Sequence, residues 1–225
     1  MIMDIEKVRE YLRVFHHELG HWFVAKQVGF EPQYIEVDSK YTGRWNSSGV
    51  CSTILYCNLN LNEVQSYLIH RQLVLLAGAV FEAAYLNATT KDAVYNLTNG
   101  TSINDNVKFV ELAIILLNLF CGKYDGKAQE LERSSVEFNR DCWWDEINKH
   151  REDLVGILFR VCKLEIQDFI HDADRLFNVR LESVDNTGVV RVSSADLDAH
   201  YKNLVGDRCF FDGVKGFRRG RFQRV

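Results

Sequence analysis

The stretch Phe15-His16-His17-Glu18-Leu19-Gly20-His21-Trp22-Phe23 constrains this chain more than any other. His21 follows His17 by four positions, so on an α-helix the two share a face one turn apart, where two imidazoles can hold one divalent metal ion. Glu18 sits about 100° round the same helix, beside that face. The residues between and around this polar trio are apolar or small, as a helix buried beneath a reactive site requires. A metal held for chemistry takes three protein ligands and keeps one position open. The chain must therefore fold back and bring a third ligand to this helix.

Hydrophobic periodicity supplies the elements that could do so. Ile5, Val8, Tyr11/Leu12, Phe15, Leu19 and Trp22/Phe23 recur at helical spacing and predict one helix from Asp4 to Gln27. Gly29 and Pro32, the only proline, end it. Gly20 inside the helix costs roughly 1 kcal/mol against Ala, which implies another backbone packed close to it. Gln33–Asp38 and Val50–Leu59 alternate as strands around a turn-rich Gly43–Gly49, predicting a small antiparallel sheet. An edge strand there offers main-chain hydrogen bonds to an extended peptide, or simply covers the core.

Further helices are predicted over Leu61–Leu86, capped by Asn60 or Asn62, and over Ser102–Phe120. Ala88–Gly100 between them is polar and reads as a loop. After a break at Gly122–Lys127 come helices over Ala128–Arg140 and Trp143–Leu176, the second with a bend. A turn at Asn186–Gly188, a strand over Val189–Val192 and a helix from Ser194 to about Leu204 complete the order. The expected fold is mainly α (α+β), with residues 1–206 as one domain and 207–225 as a basic tail. The tail carries six basic and two acidic residues, net +4, which leaves −8 for residues 1–206 of a chain whose formal charge is −4. That balance gives no reason to expect nucleic-acid binding.

The N-terminus is charged and lacks a signal peptide's apolar core, and the greasy run Leu112–Phe120 is too short to span a bilayer. No membrane span is expected, and the six cysteines, with no CxxC pair, read as reduced thiols of a cytoplasmic protein. In that compartment the four Asn-x-Ser/Thr sequons at Asn46, Asn87, Asn96 and Asn99 carry no glycan. No GxxxxGK[ST] phosphate loop is present.

The metal helix carries the HExxH pattern of zinc peptidases, in which the Glu takes a proton from water. The extended pattern with a further Gly and His is excluded, because Val24 and Gln27 occupy those positions. Two acids remain open as third ligand: Glu82, alone among apolar neighbours, and Asp105, at the head of the Ser102–Phe120 helix. Asp105 in a first helical turn is also explained by the helix dipole alone, worth about 0.3–1 kcal/mol. His16 points off the metal face, as a surface residue or one behind the ligands. His70, His150, His171 and His200 stand alone and read as structural, and Trp143-Trp144 as a core or interface anchor.

Three segments in order resemble one family. His17-Glu-Leu-Gly-His21-Trp-Phe-Val-Ala25 is similar to the HEAGHAxVA segment of FtsH-type membrane-linked zinc peptidases. Leu75-Leu-Ala-Gly-Ala-Val-Phe-Glu82 is similar to its LLAGRAAE helix, and Thr101-Ser-Ile-Asn-Asp105-Asn-Val-Lys-Phe-Val-Glu-Leu-Ala113 to its TTGAxNDLxxATxxA segment. The resemblance spans about residues 12–118, leaving 119–206 as an unaligned helical C-terminal part. It implies a helical zincin-like domain with a small antiparallel sheet beside the HExxH helix, and Zn2+ held by His17, His21 and Asp105. It makes Glu18 the general base and Glu82 a partner behind the ligands or a fallback ligand. The chain departs from the family in lacking the ATPase module, the membrane anchor and the PRG signature, and in carrying Ala79 for the arginine of LLAGRAAE. The implied function is a zinc-dependent endopeptidase acting on loose polypeptides, or on ones delivered by a separate unfoldase or adaptor. The alternative is a catalytically silent binding or regulatory protein on the same scaffold.

Overall fold

The computed structural model describes residues 5–42, 44–55, 61–120, 134–183, 188–211 and 214. In chain order the elements are α1 (Ile5–Gln27), β1 (Glu31–Tyr41), β2 (Trp45–Ile54), α2 (Leu61–Tyr85), α3 (Thr90–Asn99), α4 (Ile103–Phe120) and α5 (Ser134–Arg160). A π-helical turn (Val161–Glu165), α6 (Gln167–Glu182), β3 (Val189–Ser193) and α7 (Ser194–Leu204) follow. The architecture is mainly helical with one antiparallel sheet of order β2-β1-β3, the α+β class expected.

α1 stops where the sequence says it should. Gly29 takes φ +83°, and the Phe30 amide returns to the Ala25 carbonyl at 2.9 Å, closing the last turn in a left-handed cap. β1 then alternates: Ile35, Val37 and Ser39 are buried, while Tyr34, Glu36 and Asp38 are half-exposed. Ile35 opposes Val192 and Val37 opposes Val190, four buried β-branched residues stacked on one face behind α1. Pro32, which cannot donate to a ladder, sits at the register shift between β1 and β2.

α1 and α2 pack in close contact through Gly20. A Cβ there would stand 2.8 Å from the Ala77 carbonyl carbon and 2.9 Å from the Phe81 ring, so the close backbone expected from Gly20 is that of α2. On its other side α1 rests on the C-terminal third of the chain. Phe15 stacks on Phe177 at 4.2 Å, Trp22 lies against Phe169, and the Trp22 indole N–H donates to Ser194 Oγ at 2.8 Å.

Three boundaries differ from the sequence reading. Ala88–Gly100 is not a loop: Thr89 and Asp92 form a reciprocal capping box that starts α3, and only Ala93 and Leu97 are buried along it. β2 begins at Trp45, not Val50, and just before it the Thr42 amide donates to the Arg44 carbonyl at 3.0 Å. Gly49 lies within that strand because the place of its Cβ is taken by α1, 2.6 Å from Glu18 Cγ and 2.7 Å from Val14 Cγ1. α5 runs unbroken through Arg140–Trp143, and the expected bend falls at the π-helical turn. The expected break at Gly122–Lys127, the strand beyond Leu55, the cap at Asn60, the turn residues Asn186-Thr187 and the tail from Lys215 lie outside the described residues.

The segment Glu63–Tyr85 of α2 is long and apolar enough to cross a membrane by length and composition, but 78% of that apolar stretch is buried inside the protein. Its greasy surface is core. Cys51 and Cys162 are thiols, each with its pKa pushed up to about 12 by burial, and Cys209 is exposed and in no disulfide.

Candidate metal centre

α1 presents His17 and His21 to a cleft of about 650 Å³. Its walls are α1, the polar strand β2, α2 and the head of α4. Each imidazole is fixed through its Nδ1. His21 Nδ1–H donates to the Val74 carbonyl at 2.6 Å, and His17 Nδ1–H donates to Glu82 Oε2 at 3.1 Å. In that tautomer both Nε2 atoms keep their lone pairs and face one another at 3.1 Å. The third member comes from α4: Asp105 Oδ2 lies 3.3 Å from His17 Nε2 and 3.5 Å from His21 Nε2.

These three atoms form a nearly equilateral triangle, and its size carries information. Tetrahedral zinc with bonds of ~2.0–2.1 Å separates its ligand atoms by ~3.3 Å. The observed edges of 3.1, 3.3 and 3.5 Å bracket that figure. Gly78 of α2 forms the floor: a Cβ there would stand 2.6 Å from both Nε2 atoms. The donor set, two imidazoles and one carboxylate, suits a borderline divalent cation.

The electrostatics follow from packing three carboxylates and two imidazoles together. Burial lowers the pKa of the His17 imidazole, but the protonated ring donates to Asp105 and Glu82 and feels the charges of Glu18 and Glu82, and these raise it to about 9. Burial alone would raise the Asp105 carboxyl, yet its bonds to His17 and His21 hold it well below the usual carboxylate range. Glu82 is likewise pulled down, against burial, by His17 and by Arg13, whose Nη1 donates to Glu82 Oε1 at 2.6 Å. Arg13 also grips Glu10, so Arg13, Glu82 and His17 form a braced chain ending at the triangle.

The structure thus brings His17, His21 and Asp105 together and puts Glu82 behind His17, outside the triangle. Glu18 is buried and lines the cleft against Gly49 of β2. His16 is not at the surface. It is buried on the opposite side of α1, stacked on Tyr85 at 4.2 Å with its Nε2 2.9 Å from Asp174. His150 donates to Gln72 Oε1 at 3.0 Å, and His200 pairs with Asp172 at 3.3 Å. Trp144 is partly exposed, and the Trp143 side chain lies outside the described residues. Sequence reasoning missed Gly78, Gly49 and Arg13 as parts of the site. The signal available for both glycines was an otherwise costly residue inside a regular element.

The fold and site define an α+β domain whose HExxH helix and a distant acid converge on one point. No protein-family model, curated protein or solved structure matches the chain.

Proposed function

We propose that the chain is a zinc-dependent endopeptidase, distantly akin to the FtsH-type peptidases, with Glu18 as general base. The observation that carries this reading is the triangle of His17 Nε2, His21 Nε2 and Asp105 Oδ2, sized for a tetrahedral ion in an open cleft. A divalent metal held there supplies Lewis acidity, which lowers the pKa of water towards ~7 and polarises a carbonyl.

The chain's own residues do the rest. Val74, and Glu82 braced by Arg13, hold the two rings so that both Nε2 lone pairs point to the same place as the Asp105 carboxylate. Glu18, between α1 and β2, takes the proton of the attacking water and returns it to the leaving nitrogen. β2 is an edge strand along the cleft, and its outer backbone groups pair with an extended polypeptide. The proposed setting is the cytoplasm, with loose polypeptides as substrates or a separate unfoldase or adaptor to deliver them.

Glu18→Gln should retain stoichiometric zinc and lose cleavage of an unfolded casein-type substrate by about 100-fold or more. Unchanged turnover in that variant sinks the general-base role. Zinc binding without any hydrolysis by the unaltered chain would identify a silent binding protein on a peptidase scaffold.

A further inference from the structure

Two cations in the cleft are unused by this chemistry. Arg13 is committed to Glu10 and Glu82. Arg71 of α2 and Lys108 of α4 line the same cleft, and among the described residues neither makes an ion pair or a side-chain hydrogen bond. Arg71 is half-buried, and that burial holds its guanidinium below its ordinary range despite the opposing fields of Tyr67 and Asp105. A partly desolvated guanidinium with no hydrogen-bonded partner among the described residues costs stability, and its fork of donors matches a carboxylate.

Position narrows what it could meet. Arg71, Val74 and Leu75 line the cleft, and Gly78, seven positions after Arg71, lies on the same face of α2. Gly78 is the floor beneath the triangle, and seven residues of helix put the Arg71 backbone about 10 Å from it. Lys108 stands one turn beyond Asp105 on α4, exposed at the cleft's rim. Six charged side chains line the cleft, three cationic and three acidic. A divalent ion makes the cleft net positive in a chain that is net −4 overall. An extended peptide rises about 3.3 Å per residue, so a group meeting Arg71 belongs to a residue about one to three positions from the carbonyl at the triangle.

We infer that Arg71, assisted by Lys108, forms a carboxylate-recognising subsite, so that the preferred substrates carry an anion within about three residues of the cleaved bond. This rests on the peptidase reading. The carboxylate belongs to an Asp or Glu side chain or to a chain's C-terminus.

The test is peptide binding by the full-length, zinc-loaded chain carrying Glu18→Gln. An array of short peptides is scanned with Glu or Gln at each position, each with its C-terminus free or amidated. One acid should bind about tenfold or more tighter than its amide twin, and the arm in which this occurs identifies the side chain or the terminus as the source. Arg71→Met should collapse that ratio to about threefold or less, and Arg71→Glu should reverse it. Lys108→Gln, at an exposed position, should reduce it about two- to threefold, and it carries the test if the Arg71 variants lose zinc. The absence of acid preference in every arm, including absence of binding, overturns the proposal. So does a preference that survives the Arg71 and Lys108 changes. Cleavage by the unaltered chain is read separately. Acid-selective binding without cleavage sinks the peptidase reading and keeps the subsite, whereas cleavage without acid preference does the reverse.

Discussion

Substituting Ala for Gly78 separates metal binding from folding in one step. The new methyl would stand 2.6 Å from both Nε2 atoms and 2.7 Å from His17 Cε1, where ordinary contact begins near 3.4 Å. Each ring must therefore retreat by about 0.8 Å, a large step in a packed interior. That retreat strains the bonds to the Val74 carbonyl and to Glu82. Loss of such supporting bonds alone costs about 10–100-fold in metal affinity, and here the ligand atoms move as well. Zinc affinity should fall by about 100-fold or more, some 2.7 kcal/mol. The apo protein bears the same retreat, but with no ion to hold them its rings can move apart and Ala is better than Gly in a helix by about 1 kcal/mol, so its stability should fall by less. Gly156→Ala is the control, because a Cβ at that exposed α5 position meets nothing within 4 Å. It should stabilise by up to about 1 kcal/mol and leave zinc affinity unchanged. Competition against a chromophoric chelator, with urea melts of the apo forms, measures both quantities. Zinc binding by Gly78→Ala within about threefold of the unaltered chain would refute the proposed centre.

Other expectations follow from the same geometry. Asp105→Ala should cost more zinc affinity than Glu82→Ala, whose loss should stay within about 10–100-fold; the reverse order in a chelator competition would make Glu82 the ligand. Gly20→Ala should destabilise by about 2 kcal/mol net, despite its gain in helix propensity, because the Ala77 backbone cannot retreat; an unchanged urea midpoint contradicts that packing. Burial lowers His150 from 6.5 to about 4, with Asp153 opposing. The unfolded chain then binds more protons at this group than the folded one between those values, so the contribution of His150 to stability should fall as pH drops through that window, by about 3 kcal/mol, and be constant above it. His150→Gln should flatten the slope in urea titrations, and an equal slope in both proteins excludes His150 as its source.

Much of the frame was legible because periodicity reports burial directly. α1, α2 and α4 each carry an apolar stripe long enough to read, and Val189–Val192 with Ser194-Ala-Asp196 announce β3 and the start of α7. α3 was hidden because only Ala93 and Leu97 face inward, although its capping box was written in Thr89 and Asp92. The start of β2 is hidden because Asn46, Ser47 and Ser48 show no apolar alternation and Gly49 resembles a turn residue. Of the site, His17 and His21 are local and were visible at once. Asp105 and Glu82 depend on how α2 and α4 pack against α1, and Asp105 alone fits an ordinary helix start. Gly78 and Arg13 act only through contacts 57 to 69 residues away in sequence, and no local pattern reports those.

α1 is seated on residues more than 160 positions further along the chain. Trp22 hydrogen-bonds Ser194, Gln27 meets Tyr201 and the Arg208 carbonyl, and β1 takes β3 as its second neighbour. A ribosome therefore releases both histidines long before it makes the residues that cover their helix. During synthesis this side of α1 stays uncovered until β3 and α7 dock, so the helix that carries both histidines reaches its native packing only late.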